Sequence, residues 1–311
     1  MTHINSTYLL IAIFIFMLTA CGGGSSNNSS TRSSLQTSSL QSVSSSSASN
    51  AITFNYGDHF LQKADLRLPV TSINAPLPAP VIVVIHGGCW TTSLASYHFM
   101  DEFSDAITEL GYATWNIEYR GIGTGGEWPI IFQDVALAVD HLRVVAQTQP
   151  IDITRTAVVG HSAGGHLALW VASRKLINAE SLIYTPDPLP IRGAMSLAGV
   201  LDLTAVTGCG NSADLIIGQM VERPGGIATL RLSETSPQHM LPAGTRSVIV
   251  SGASDSIVRT NVGASYSNAA TASGDASVHY ILQGLGHFEL IDPSQTDWSL
   301  YQTSFKELLR D

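Results

Sequence analysis

The chain of 311 residues carries 15 basic against 24 acidic side chains, a formal net charge of −9. That balance, with no basic cluster along the sequence, argues against a nucleic-acid partner. From about residue 51 to Asp311 the chain is long enough for one large domain and too unbroken to require two.

In chain order, residues 9–20 come first as an apolar run of signal-peptide length. The run is short of the roughly 18 residues that suggest a membrane span. It ends in Leu18-Thr19-Ala20-Cys21, which resembles the lipobox of bacterial lipoprotein signal peptides. The resemblance implies cleavage before Cys21, a diacylglyceryl group on its thiol, and an exported chain held to a membrane. Gly22 after Cys21 leans the same comparison towards the outer membrane. Residues 1–8 contain His3 but no Lys or Arg, so an ordinary secretory signal or an uncleaved anchor is the alternative. Residues 22–50 are dominated by serine and cannot build a core. They read as a solvated tether with a root-mean-square span of about 30 Å. The predicted organisation is therefore a signal peptide over 1–20, a lipidated Cys and tether over 21–50, and a folded domain over 51–311.

Within that domain, β-branched runs alternate with helical stretches. This is the α/β pattern of a mostly parallel sheet with helices on both faces. Val81-Ile82-Val83-Val84-Ile85 is continuously apolar, as a strand buried on both faces should be. A helix is expected near 98–110, stopping before Gly111, and a strand over 112–117. Residues 128–146 predict one long amphipathic helix with Pro129 near its start. Thr156-Ala157-Val158-Val159 predicts a strand, and Ala163 to Ser173 the helix after it. Further strands are expected at 191–198, 246–251 and 277–282, and a final helix over about 296–310. The stretch 203–240 is irregular and lies where an insertion forms part of a lid or pocket wall.

Two motifs carry chemistry. Gly160-His161-Ser162-Ala163-Gly164 is a G-x-S-x-G turn between a predicted strand and a predicted helix, the context that exposes a serine nucleophile. His86-Gly87-Gly88-Cys89-Trp90 follows the apolar strand and can supply backbone donors to an oxyanion. Together they resemble the α/β-hydrolases, in which the catalytic residues follow the chain order Ser, acid, His. In that order Asp255 is the expected acid, because it lies just past the 246–251 strand. Asp202 is its main rival, one strand earlier. His287, in the loop after the last strand, is the expected base. His279 belongs to a strand, His239 to the irregular segment, and His161 and His166 flank the turn as packing or pocket residues. Expected oxyanion donors are the amides of Ala163, Gly88 and Cys89, with Gly87 allowing the backbone to approach. Trp90 reads either as a pocket residue or as a buried structural side chain.

With Glu118-Tyr119-Arg120 and Gly286-His287-Phe288 added, the sequence resembles the HGGxW branch of α/β-hydrolases. That branch spans kynurenine-formamidase-like enzymes and carboxylesterases near the hormone-sensitive-lipase group. The resemblance implies hydrolysis of a small-molecule ester or formyl amide by Ser162, His287 and Asp255. An exported hydrolase fits ester substrates better than a cytoplasmic pathway amide, and the intact triad disfavours a catalytically silent binding protein. No His, Cys, Asp or Glu cluster has ligand spacing, so no metal or organic cofactor is expected. Of three cysteines, the lipobox takes Cys21 and leaves Cys89 and Cys209. These two form a disulfide only if the fold brings their Cα atoms within about 7 Å. Two free thiols are the alternative.

Overall fold

A computed structural model of the chain describes residues 51–70, 77–206, 208–218 and 227–310. The apolar leader, Cys21 and the serine-rich tether lie outside them. Among the described residues, no helix is long and apolar enough to cross a membrane.

Strands β1 (Ile52–Asn55), β2 (Lys63–Arg67), β3 (Ala79–Ile85), β4 (Ala113–Ile117), β5 (Ile151–His161), β6 (Gly193–Leu197), β7 (Arg246–Gly252) and β8 (Ser277–Leu282) form one sheet. Their order across it is β1-β2-β4-β3-β5-β6-β7-β8. The β1–β2 and β2–β4 pairs are antiparallel, and every other pair is parallel. The helices are α1 (Asp101–Glu109), α2 (Ile130–Asp140), α3 (Leu142–Val145), α4 (Ala163–Ser173), α5 (Ser212–Ile216), α6 (Ile227–Thr235), α7 (Thr260–Ala272) and α8 (Trp298–Leu308).

The period-2 geometry of a strand sorts the core onto two faces. In β3, Val81, Val83 and Ile85 pack with residues of α2, α3, α4 and α7. Ile82 and Val84, between them, pack with Phe103 and Ile107 of α1 and Tyr301 and Phe305 of α8. Both faces of the central strands are thus covered, which is why their sequences run apolar without alternation.

The expected helix over 128–146 is interrupted. It breaks at His141, whose amide turns back to both Leu137 and Val139, and resumes as α3. Sequence reading passed over β1, β2 and α7. In α7 the inward stripe is Gly263, Tyr266, Ser267 and Ala270, so the helical spacing is present without the apolar residues that advertise it. The irregular segment contains α5, α6 and a short 3-10 turn at Pro237–His239.

The chain leaving β4 is pinned to α2 by Asp134, which is 1% exposed. Asp134 accepts from Arg120 Nε at 2.7 Å, Arg120 Nη2 at 2.6 Å and Gln62 Nε2 at 2.7 Å. Removing the acid leaves these donors unpaired in a water-poor site. Asp134→Ala is therefore expected to cost roughly 3 kcal/mol in urea unfolding. A loss below about 1 kcal/mol, the level of a surface pair, would show that the junction is held by other means.

Candidate active site

Strand β5 delivers the chain to Ser162, whose φ of 55° and ψ of −118° turn it directly into α4. The turn closes only because glycines surround it. A Cβ on Gly160 would lie 2.0 Å from the Gly164 carbonyl oxygen, and one on Gly164 would lie 2.1 Å from that of Ile85. The amide of Ser162 donates to Leu197 O at 2.8 Å, so the turn is tied to β6 as well. Ser162 therefore stands at the carboxyl edge of the sheet, at the amino end of a helix whose dipole favours negative charge.

The loops after β7 and β8 bring the expected acid and base together. Gly252 packs so closely on this second loop that a Cβ would lie 2.3 Å from Gly286 O. His287 Nδ1 donates to Asp255 Oδ2 at 2.7 Å, with both side chains buried. The other carboxylate oxygen, Oδ1, accepts the amides of Ile257 at 2.8 Å and Val258 at 2.9 Å. Asp255 is thus fixed as an acceptor, and the proton it holds on Nδ1 leaves Nε2 with a free lone pair. Ser162 and His287 line one cavity without a hydrogen bond between them. Such contacts are often long before substrate enters. The rival Asp202 also lines the cavity, but it accepts from Thr204 and does not reach His287.

The oxyanion-loop candidates lie across from this pair. Gly88, Cys89 and Trp90 have φ values of 96°, 50° and 58°. Gly88 and Cys89 line the cavity. Among the described residues, no protein acceptor takes the amides of Gly88, Cys89 or Ala163. Gly87 is the contact point with the elbow, since a Cβ there would lie 2.8 Å from His161 O. Trp90 is structural and fully buried. Its Nε1 donates to His166 Nδ1 at 3.1 Å, which makes His166 Nε2 the donor to Thr235 O at 2.8 Å.

Under the loop lies Glu118, which motif reading quoted without a role. It is 2% exposed, and its Oε1 accepts from His86 Nε2 and from the Tyr119 amide, each at 2.9 Å. Tyr119 stacks on His86 with centroids 4.3 Å apart and donates its hydroxyl to His86 O. Burial pushes the Glu118 carboxyl up, but the hydrogen bond and field of His86, with the amides of Tyr119 and Tyr97, hold it below its ordinary value. His161 is a second silent support. It is buried, and its Nε2 donates to His287 O at 2.9 Å. Its neighbour in sequence concealed this role, because nothing in G-H-S-A-G says which way the histidine points.

The cavity has a volume of about 930 Å³. Leu94, Phe99, Val206, Ile257, Val262 and Phe288 supply apolar wall, with Phe99 and Phe288 in an edge-to-face pair at 6.0 Å. Cys89 and Cys209 are joined in a disulfide, with Cα atoms 5.5 Å apart. One three-residue group, Asp65, His98 and Asp101, has candidate metal-ligand atoms within 4.8 Å of one another. Arg67 pairs with Asp101 at 2.6 Å and with Asp105 at 2.7 Å.

The family model BD-FAE matches residues 65–269, more than half of the chain. The chain belongs to the BD-FAE family. No curated protein matches the sequence. Among solved structures, a truncated carbohydrate esterase from gut microbiota superposes with a TM-score of 0.66 at 19% identity, covering 83% of this chain and 96% of its own. Esterase B from Lactobacillus rhamnosis gives 0.68 at 17% identity, over 83% and 85%. Carboxyl esterase 2 from the mycorrhizal fungus Tuber melanosporum gives 0.66 at 19%, over 87% and 90%. These likenesses, with the mostly parallel sheet of 8 strands, make this BD-FAE domain an α/β-hydrolase fold.

Burial depresses His161 to about 3, aided by the field of His287 and opposed by its hydrogen bond to His287 O and the field of Asp255; burial likewise depresses His166 to about 4. In the unfolded chain each protonates near about 6.5. Below that pH, protons bind the unfolded chain first, so stability present at neutral pH is lost as pH falls from about 6.5 towards 4. His166→Gln keeps an acceptor and a donor without the titration. It is expected to flatten the slope of unfolding free energy against pH by about one proton in that window. An unchanged slope would contradict a neutral, buried His166.

Proposed function

We propose that this BD-FAE protein is a serine carboxylesterase of the HGGxW branch, working through an acyl-enzyme. The observation that carries the reading is the Asp255–His287 bond at 2.7 Å, which leaves His287 Nε2 free in the cavity shared with Ser162. In this reading Ser162 Oγ attacks the ester carbonyl while Nε2 takes its proton, and Asp255 keeps the ring in the required tautomer. The carbonyl oxygen becomes an oxyanion held by the amides of Ala163, Gly88 and Cys89, each worth roughly 3–4 kcal/mol of barrier in comparable sites. The imidazolium then protonates the departing alcohol. Water repeats the sequence and frees the acid.

The similar solved structures are described as esterases, which supports an ester rather than an amide substrate. We also propose that the chain is exported and anchored through a lipidated Cys21. The lipobox-like sequence supports this, and so does the Cys89–Cys209 disulfide, a bond that persists in oxidising compartments.

The test is hydrolysis of p-nitrophenyl esters from acetate upward, beside N-formylkynurenine, with the purified protein and Ser162→Ala. Ester turnover is expected, falling at least about a thousandfold in the variant. Faster cleavage of the formyl amide would move the assignment to a formamidase. Asp255→Asn tests the acid separately. It keeps the shape but offers the wrong partner to Nδ1, and kcat is expected to fall about 10⁴-fold. A fall of less than about tenfold would return Asp202 to consideration.

A further inference from the structure

We infer that Cys209 is a positioning residue of the oxyanion loop, acting through its disulfide to Cys89. The inference rests on the serine-hydrolase reading above and assigns a role to a residue outside the triad and its donors.

Cys89 and Trp90 are consecutive residues with a Cβ and a positive φ, 50° and 58°. That region is disfavoured for L side chains, so the loop keeps this shape only where neighbours enforce it. Trp90 is enforced by its bond to His166 and by the Ile122 amide, which donates to Trp90 O at 2.7 Å. Gly88 is enforced by the Thr91 amide on its carbonyl at 2.8 Å and by contact with Ala95. Cys89 has less. Among the described residues its amide has no protein acceptor, and its carbonyl meets the Thr91 hydroxyl at 3.2 Å. The Thr91 amide on Gly88 O closes a turn with Cys89 at its centre, and the long-range restraint that anchors this turn through Cys89 is the bond to Cys209, a residue 120 positions away.

Cys209 is well placed to hold it. The Ser212 amide donates to Cys209 O at 3.2 Å, which ties Cys209 to the start of α5. That helix is seated through Ala213 and Ile216, and the Trp128 amide donates to Leu215 O at 3.3 Å. On the other side, Val206 and Gly208 line the catalytic cavity. The disulfide thus ties the side chain of Cys89, a central residue of the Gly88–Thr91 turn and an oxyanion-donor candidate, to the half-buried helix α5. A donor that is not held cannot be preorganised for the charge that develops in the transition state. Opening the bond should therefore lower kcat while affecting ground-state binding much less.

The experiment compares the oxidised protein, the protein reduced by a dithiol, and Cys209→Ser. In the reduction the dithiol gives up two electrons and two protons, the S–S bond breaks, two cysteine thiols form, and the reagent closes to its own disulfide. Three readouts are taken below each form's melting temperature: kcat and KM on a p-nitrophenyl ester, the rate of Ser162 labelling by a fluorophosphonate, and thiol count. In labelling, Ser162 Oγ bonds to phosphorus and fluoride departs, so the readout needs the nucleophile and oxyanion loop but no particular ester. The expected result is a fall of about tenfold or more in kcat and in labelling rate, with KM within about threefold and recovery on reoxidation. Equal kcat and labelling rate with both thiols counted free would overturn the inference. So would losses that appear only where the protein melts. If the oxidised protein labels at Ser162 but hydrolyses no ester, the substrate reading fails while the labelling rates still decide the role of Cys209.

Discussion

Ser162 occupies a backbone conformation, φ 55° and ψ −118°, that residues with a side chain rarely adopt, and the site is arranged around maintaining it. Such a residue costs of order 1–3 kcal/mol and persists only where its surroundings over-determine it. Here four elements do so. β3 and β5 run parallel with Ile85 paired to Gly160, and α4 starts so close to both strands that only Gly160 and Gly164 fit at the crossing. The Ser162 amide is held by β6. The strain is thus offset by the packing of the central sheet, at whose edge Ser162 is 4% exposed. In this account, relaxing the turn would swing Ser162 away from both His287 and the candidate oxyanion donors.

The same sheet edge collects polar groups that an apolar core would otherwise exclude. Glu118, His86, His161 and His166 are all buried, and each has a specific partner that faces the elbow or the oxyanion loop. Their desolvation is a cost, as the depressed values of His161 and His166 register. What they provide is orientation. His161 holds the backbone of His287, His166 holds Trp90, and Glu118 holds the His86 ring at the root of the loop. Under this account the catalytic geometry depends on the buried rings and carboxylate beside the proposed triad as much as on the triad itself.

The architecture and the site differed in how much of them could be read from residues alone. Buried parallel strands announce themselves as unbroken β-branched runs, and the start of α4 follows from the G-x-S-x-G turn before it. Helix α7 was invisible because its inward stripe is glycine, serine, alanine and one tyrosine. The interruption at His141 left no mark, since both flanking segments keep the same apolar spacing. In the site, chain order singled out Asp255 and His287, and the structure places them 2.7 Å apart. Pairing of Cys89 with Cys209 was not legible, because it depends on where an irregular segment returns across 120 residues. The supporting role of Glu118 was hidden for a related reason: a carboxylate after a strand gains meaning only when its partner, 32 residues away, is placed beside it.

The central claim is that Ser162 forms a covalent acyl intermediate in this cavity. The most direct measurement is acid quenching of the protein early in turnover of p-nitrophenyl acetate, followed by peptide mapping by mass spectrometry. The account predicts one acetyl group, carried by Ser162 and absent in Ser162→Ala. Turnover that proceeds with no acetylated peptide, or with the acetyl group on another residue, would contradict it.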